Sequence, residues 1–163
     1  MPIEIGQLAP DFALRDQDGL VRGLADHRGR RHVLLVFYVL AFSEIDAAEL
    51  CELRDDPEAF GGGRTATLAV SVDSPYAARV FADREGLNFP LLSDFWPHGE
   101  VARRYGVFNE ERGFANRGTF VIDAGGVVRW AIVNRPGEPR EAEAYRKALA
   151  ELPAPPPPSR ESA

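Results

Sequence analysis

The sequence predicts a single α/β domain in which helices flank a central mixed β-sheet. The 163 residues, 45% of them hydrophobic, are enough to bury a full core. Two continuous apolar runs, His32–Tyr38 and Thr65–Val72, are typical of buried central strands. A segment with helical character follows each run, and this alternation places helices on the faces of a sheet.

The elements before the first buried strand form a predicted hairpin. Extended pieces around Phe12–Leu14 and Leu20–Arg22 flank the turn dipeptide Asp18-Gly19. The remaining predicted elements are a helix over Asp46–Asp56 that ends before Gly61-Gly62-Gly63, a helix over Pro75–Glu85, a short helix over Gly99–Tyr105, strands over Thr119–Ile122 and Val127–Val133, and a helix over Glu141–Leu152.

The order of these elements is that of a thioredoxin-like α/β fold: strand, helix, strand, helix, then a hairpin and a last helix. We assign residues 1–152 to this domain. Residues 153–163 contain four prolines in a row, Pro155–Pro158, and are predicted to be a disordered tail outside the core.

Composition excludes several classes of function. The net charge of −6 argues against a surface for nucleic acid or anionic membrane. No apolar run approaches the roughly 20 residues of a spanning helix, and Met1–Glu4 is not the start of a signal peptide. A single cysteine, Cys51, excludes an internal disulfide and fits a reducing compartment. We therefore expect a cytoplasmic location.

Several segments together resemble the peroxiredoxin family, in the family's order and spacing. They are Ala9-Pro10-Asp11-Phe12, Ser71-Val72-Asp73-Ser74, Phe89-Pro90-Leu91-Leu92-Ser93-Asp94, Tyr105-Gly106-Val107 and Asn116–Asp123. The run Asp94–Gly99, with Val107–Glu110, is most similar to the alkyl hydroperoxide reductase E subgroup. The resemblance implies a thioredoxin-like fold of the peroxiredoxin type and a homodimer.

The chain departs from the family at the catalytic motif. In that family an apolar strand runs into Pro-x-x-x-Thr/Ser-x-x-Cys, and the cysteine opens a helix. The corresponding positions here hold Val39, Ser43 and Asp46. By resemblance, the supporting residues Glu49 and Arg117 are retained. A carboxylate therefore occupies the position of the nucleophile.

Peroxide reduction needs a thiolate, and this chain has none at position 46, where the family has its catalytic cysteine. A carboxylate cannot be oxidised to a sulfenic acid, so the ordinary catalytic cycle through Asp46 is excluded by chemistry. Cys51 lies five residues further on, the spacing of a resolving cysteine in some relatives. A helix would turn Cys51 by roughly 140° away from Asp46, so we interpret it as an inert core cysteine.

Two interpretations of Asp46 remain open at this point. In the structural one, Asp46 caps the helix in a capping box with Glu49, or forms an ion pair with Arg117. In the functional one, an ionised Asp46 acts as a general base beside an oxyanion site formed by Ser43 and Arg117. The apolar walls of such a pocket would be Tyr38, Phe42, Trp96 and Phe108, with Val39 and Glu49 as supporting residues.

Three functions follow as hypotheses. The first is an enzyme of specialised metabolism repurposed for a small organic substrate, with Asp46, Arg117 and Ser43 as its catalytic residues. The second is a non-catalytic protein that binds a ligand or partner. The third is a thiol peroxidase whose catalytic cysteine was replaced deliberately. We expect no cofactor and no metal, because Asp46 and Glu49 have no histidine near them in sequence.

Overall fold

The computed structural model describes residues 2–156, which contain nine β-strands and four α-helices. The strands are β1 (Ala13–Arg15), β2 (Val21–Gly23), β3 (His32–Phe37), β4 (Thr65–Ser71), β5 (Leu91–Ser93), β6 (Phe108–Asn109), β7 (Phe114–Ala115), β8 (Arg117–Ile122) and β9 (Val128–Asn134). The helices are α1 (Glu44–Asp55), α2 (Pro75–Glu85), α3 (Glu100–Arg104) and α4 (Ala142–Ala150), with short 3-10 turns at Leu24–His27, Pro57–Phe60 and Gly62–Arg64.

A five-stranded mixed sheet in the order β5-β4-β3-β8-β9 forms the centre of the domain. The first three of these strands run parallel, while β8 pairs antiparallel with β3, and β9 pairs antiparallel with β8. Every residue of β3 and β8 is buried. The continuous apolar pattern of β3 is the expected result of covering a central strand on both faces.

Alternate residues of β3 point to two separate apolar clusters. Leu34 and Val36 pack with side chains of α1, α2 and α4, such as Leu50 and Phe81. Val33, Leu35 and Phe37 pack on the other face, with the N-terminal segment, α3 and β8. This period-2 alternation is the property that makes both faces of the sheet into core.

The predicted mixed sheet flanked by helices is present, and the differences are local. The structure adds the short strand β5 and the two-residue pair β6–β7, which are too short to give a period-2 signal. The strand β8 begins at Arg117, two residues before the predicted start at Thr119. The helix α1 begins at Glu44 and not at Asp46, with Ser43 as its N-cap residue.

The last helix is followed by a segment that still contacts the domain. Residues 153–156 have no regular structure, but the Pro153 carbonyl accepts a hydrogen bond from His32 Nε2 at 2.7 Å. The remainder of the predicted disordered tail, residues 157–163, lies outside the described residues. Between residues 2 and 156, none of the helices is long and apolar enough to cross a bilayer.

Candidate functional site

Four parts of the chain meet where the predicted site residues lie. They are the loop after β3, the first turn of α1, the start of β8 and the loop between β9 and α4. The loop after β3 turns sharply at Phe42, whose φ is 70°, a left-handed conformation that is uncommon for a bulky residue. The turn brings the first helical residues back beside the carboxyl end of β3.

Asp46 lies at the centre of this arrangement and has no exposed surface. Its Oδ1 accepts a hydrogen bond from Arg117 Nη1 at 2.6 Å and one from the Val39 backbone N–H at 3.3 Å. Its Oδ2 accepts from the Leu40 backbone N–H at 3.3 Å. Both oxygens of the carboxylate are therefore occupied by donors of the chain itself.

Arg117 is the cation of this pair, and it is also buried, with 1% of its surface exposed. Its Nε donates to the Pro136 carbonyl at 2.7 Å, and its Nη1 also reaches Glu49 Oε1 at 3.4 Å. Position 117 is the first residue of β8, next to the central strand, so the guanidinium is held by a rigid element.

Sequence reasoning missed a second arginine in the cluster, Arg140. Its guanidinium forms a salt bridge with Glu49 and donates to the Phe37 carbonyl and, at 2.9 Å, to Thr119 Oγ1. Its backbone N–H donates to Glu49 Oε1 at 3.1 Å. The residue precedes a predicted helix in a turn-rich stretch, and no motif marks it.

The four buried charges balance, since two carboxylates, Asp46 and Glu49, face two guanidinium groups, Arg117 and Arg140. Burial lowers the pKa of Arg140, and the neighbouring Glu49 carboxylate opposes that effect. Arginine stays protonated under such conditions because its guanidinium is a very strong base. The cluster is thus a closed network of paired charges, the arrangement that burial of charge requires.

The capping-box interpretation of Asp46 is wrong. Ser43 is the N-cap residue, so Asp46 is the third residue of the helix, and its carboxylate points to Arg117 and the loop after β3. Ser43 is half-buried, and its hydroxyl caps no N–H group of α1. In the part of the chain that the structure describes, the Ser43 hydroxyl forms no hydrogen bond with Asp46 or with Arg117. The structure therefore leaves the Ser43 hydroxyl outside the charged network.

The predicted apolar walls divide into buried and exposed residues. Val39 and Tyr38 are buried, and the Tyr38 ring packs beside Phe81. Burial raises the pKa of the Tyr38 phenol, whose oxygen has no hydrogen-bond partner within the described chain. Phe42 and Trp96 are instead 47% and 81% exposed. These two aromatic rings lie on the surface and do not enclose Asp46.

Cys51 lies two turns into α1 and is only partly buried at the edge of an apolar cluster, so it is not the core cysteine that the sequence suggested. Its Sγ is 3.6 Å from Glu85 Oε2. Burial raises the pKa of its thiol, and the Glu85 carboxylate adds to this effect. The thiol is therefore mostly protonated at neutral pH, unlike an activated nucleophile. Across residues 2–156, no three side chains of His, Cys, Asp or Glu are grouped so that they could hold a metal ion.

The fold and the position of the buried arginine define the class of this protein. A model of the AhpC/TSA family matches residues 5–131, and the chain belongs to this family of peroxiredoxins. Alkyl hydroperoxide reductase E of Mycobacterium tuberculosis is 49% identical over 152 residues, covering 93% of this chain and 99% of that protein. The chloroplastic 2-Cys peroxiredoxin BAS1 of Arabidopsis thaliana is 34% identical over 158 residues, covering 91% of this chain and 59% of that protein.

Solved structures agree with this assignment. The crystal structure of peroxidoxin BcpB from Mycobacterium tuberculosis superposes with a TM-score of 0.81 and 29% identity, covering 93% of this chain and 99% of that one. Enterococcus faecalis AhpC superposes with a TM-score of 0.81 and 27% identity, covering 92% of both chains. The predicted thioredoxin-like fold of the peroxiredoxin type and the family resemblance are confirmed.

Proposed function

We propose that this chain is a non-catalytic peroxiredoxin, in which the Asp46 carboxylate permanently fills the site where a thiolate would meet peroxide. One observation carries the proposal. Both Asp46 oxygens are bound by chain donors while Asp46 itself has no exposed surface. The arginine and backbone N–H groups that would stabilise a reacting peroxide are already occupied. Such a protein acts through binding and not through turnover.

The repurposed enzyme, the first of the sequence-based hypotheses, is less favoured by this geometry. A general base must come within hydrogen-bond distance of the proton that it removes. Asp46 has no exposed surface that a small-molecule substrate could contact. Catalytic roles for Asp46, Arg117 and Ser43 therefore require an opening of the loop after β3, and they remain predictions.

A thiol peroxidase that acts through Cys51 is the second candidate, because this residue is only partly buried. Against it, burial raises the pKa of the thiol and the Glu85 carboxylate raises it further, and together they outweigh the opposing effect of Arg54. An activated cysteine shows the opposite net shift, because cations or a helix N-terminus beside the sulfur lower the pKa of its thiol. A cytoplasmic location remains part of the proposal and rests on the single cysteine of the sequence.

Peroxide consumption is expected to be no faster than that of a free thiol. The reason is that the thiol of Cys51, the one cysteine in the chain, contacts Glu85. The Arg117 guanidinium is bound instead to Asp46, Glu49 and the Pro136 carbonyl. Stopped-flow mixing with hydrogen peroxide and with an alkyl hydroperoxide measures the second-order rate constant. The matched control is Cys51→Ser, which should behave as the parent protein does. A rate constant well above that of free cysteine, lost in Cys51→Ser, would establish the second candidate instead.

A homodimer, which the family resemblance implies, is also part of the proposal. It is supported by exposed apolar side chains that follow the carboxyl ends of the three adjacent parallel strands β3, β4 and β5. Trp96 and Tyr76 are 81% and 85% exposed in the single chain, an unusual degree for large aromatic residues. The set comprises Leu40, Phe42, Tyr76, Phe95 and Trp96.

Replacing the two most exposed of these residues should weaken self-association. We expect the double variant Tyr76→Ser/Trp96→Ser to sediment as a monomer at concentrations where the parent is dimeric, because aromatic residues dominate the energy of apolar interfaces. Sedimentation velocity over a concentration series measures the change. Leu8→Ser, at an apolar residue that is 70% exposed outside this set, is the control. A double variant as dimeric as the parent would exclude this surface.

A further inference from the structure

A cavity of about 350 Å³ lies at the opposite end of the domain from Asp46. Asp46 follows the carboxyl end of β3, whereas this cavity is lined by the first residues of β4, which pair with the first residues of β3. Its volume is within the range of small-molecule sites. Its apolar walls come from the end of α1, a 3-10 turn and the segment before β5, through Leu53, Phe60 and Phe89.

An unpaired edge of the sheet forms one side of the cavity. The ladder between β4 and β5 begins at Ala69, whose N–H donates to the Pro90 carbonyl at 3.1 Å. Backbone groups of every second residue point to the same side of a strand. The N–H and carbonyl of Thr67 therefore point to this side as well, at a position where β5 has not yet begun. Thr67 lines the cavity, so a backbone donor is available at its wall.

The cavity is also lined by three basic side chains, those of Arg22, His27 and Arg31. None of its described lining residues is acidic. Arg22 already pairs with Asp16 at 3.0 Å. Arg31, by contrast, has no carboxylate partner within residues 2–156. The Nδ1 of His27 is buried and has no hydrogen-bond partner among the described residues.

His27 lies in a locally positive environment. Burial lowers the pKa of His27, and the positive charge of Arg31 lowers it further, while Asp26 opposes both effects and Arg22 and Arg30 add to them. A bound negative charge would offset the repulsion from these arginines. A locally basic surface is notable here, because the whole chain carries a net charge of −6.

We propose that this cavity binds a small organic anion, whose charged group contacts Arg31, His27 and the Thr67 N–H, and whose apolar body packs on Leu53, Phe60 and Phe89. The combination of apolar walls with a few convergent polar groups is the general pattern of small-ligand sites. The site is independent of the buried Asp46–Arg117 cluster and does not depend on the proposed loss of peroxidase activity.

The test uses benzenesulfonate as the probe, because it is compact, aromatic and anionic at every working pH. Titration into the full-length ¹⁵N-labelled protein should shift the amide resonances of Thr67, Phe60 and Phe89 saturably, with a dissociation constant of about 1 mM or tighter. The neutral analogue benzenesulfonamide should bind at least about tenfold more weakly, since it lacks the charge that the arginine recognises.

Matched variants then separate a built site from general attraction to a basic surface. Arg31→Gln and His27→Gln should each weaken benzenesulfonate binding at least about fivefold. Arg30→Gln removes the same charge from the neighbouring exposed residue, which does not line the cavity, and should leave binding nearly unchanged. A spectrum with unchanged dispersion checks that each variant is folded.

Three outcomes would overturn the proposal. The first is the absence of saturable shifts at Thr67, Phe60 and Phe89. The second is equal binding of the sulfonate and the sulfonamide, which would indicate an apolar cavity without anion selectivity. The third is an equal loss in Arg30→Gln and Arg31→Gln, which would indicate a diffuse effect of surface charge. The activity of residue 46 has no influence on any of these outcomes.

Discussion

Replacing Arg117 by alanine is expected to lower the free energy of unfolding by about 3–5 kcal/mol, because it leaves the Asp46 carboxylate buried without its cation. Asp46 Oδ1 lies 2.6 Å from Arg117 Nη1, and the exposed fractions of the two side chains are 0% and 1%. Two backbone N–H groups remain as donors to Asp46, but hydrogen bonds alone do not neutralise a buried charge. Urea denaturation followed by circular dichroism measures the loss.

A surface ion pair of the same chemistry provides the control. Arg129 Nε lies 2.6 Å from Asp123 Oδ2, but 53% of the Arg129 side chain is exposed. Arg129→Ala should therefore cost less than about 1 kcal/mol. Equal losses in Arg117→Ala and Arg129→Ala would show that the buried cluster does not support the fold. If Arg117→Ala does not fold, Arg117→Lys can be measured instead. Lysine keeps the positive charge but not the planar guanidinium group, so the loss in the free energy of unfolding should be smaller.

Asparagine at position 46 distinguishes a buried ion pair from a simple helix cap. Asn caps a helix about as well as Asp, so a capping role would limit the loss to about 1 kcal/mol or less. The structure instead predicts a larger loss from Asp46→Asn, because Arg117 then loses its nearest carboxylate. The loss of stability in the double variant Asp46→Asn/Arg117→Gln should be smaller than the sum of the losses in the two single variants. Such non-additivity is expected for residues in direct contact.

Restoring a thiol at position 46 is expected to produce peroxidase activity. In a Cys51→Ser background, Asp46→Cys places the only cysteine sulfur in the first turn of α1, beside Arg117 and the N–H groups of Val39 and Leu40. A helix N-terminus and a nearby arginine both favour the thiolate. The second-order rate constant with hydrogen peroxide should rise at least about tenfold above that of the parent.

The variant Asp46→Ser, in the same Cys51→Ser background, removes the carboxylate without adding sulfur. It should stay at the level of the parent, which shows that loss of the carboxylate is not itself the cause of the activity. A well-folded Asp46→Cys protein at background activity would mean that the pocket no longer admits or orients peroxide. Val39, which stands where the family has a proline, would then be the residue to change next.

Much of the fold could be predicted from the sequence because its signals are local. The apolar runs of β3 and β4 and the turn chemistry of Ser74-Pro75 were sufficient to predict two central strands and α2. The pair Asp46–Arg117 is separated by 71 residues, and it was predictable because the family resemblance marks both positions.

Other features depend on distances that no local pattern records. Both Ser43 and Asp46 are residue types that cap helices, so the chain alone could not decide which of them would begin α1. The loop after β3 decides it, because its N–H groups of Val39 and Leu40 and the Arg117 guanidinium together hold the Asp46 carboxylate.

The amino-acid sequence by itself determined that this chain is a peroxiredoxin-like α/β domain with a carboxylate at the position of the nucleophile. Only the tertiary structure decided that this carboxylate is closed off and that Arg140 completes its network. Arg140 follows Glu49 by 91 residues and sits in an irregular turn, so nothing in its neighbourhood reveals its partner. Burial and charge balance are properties of chain segments packed together, and for that reason they appear only once the fold is complete.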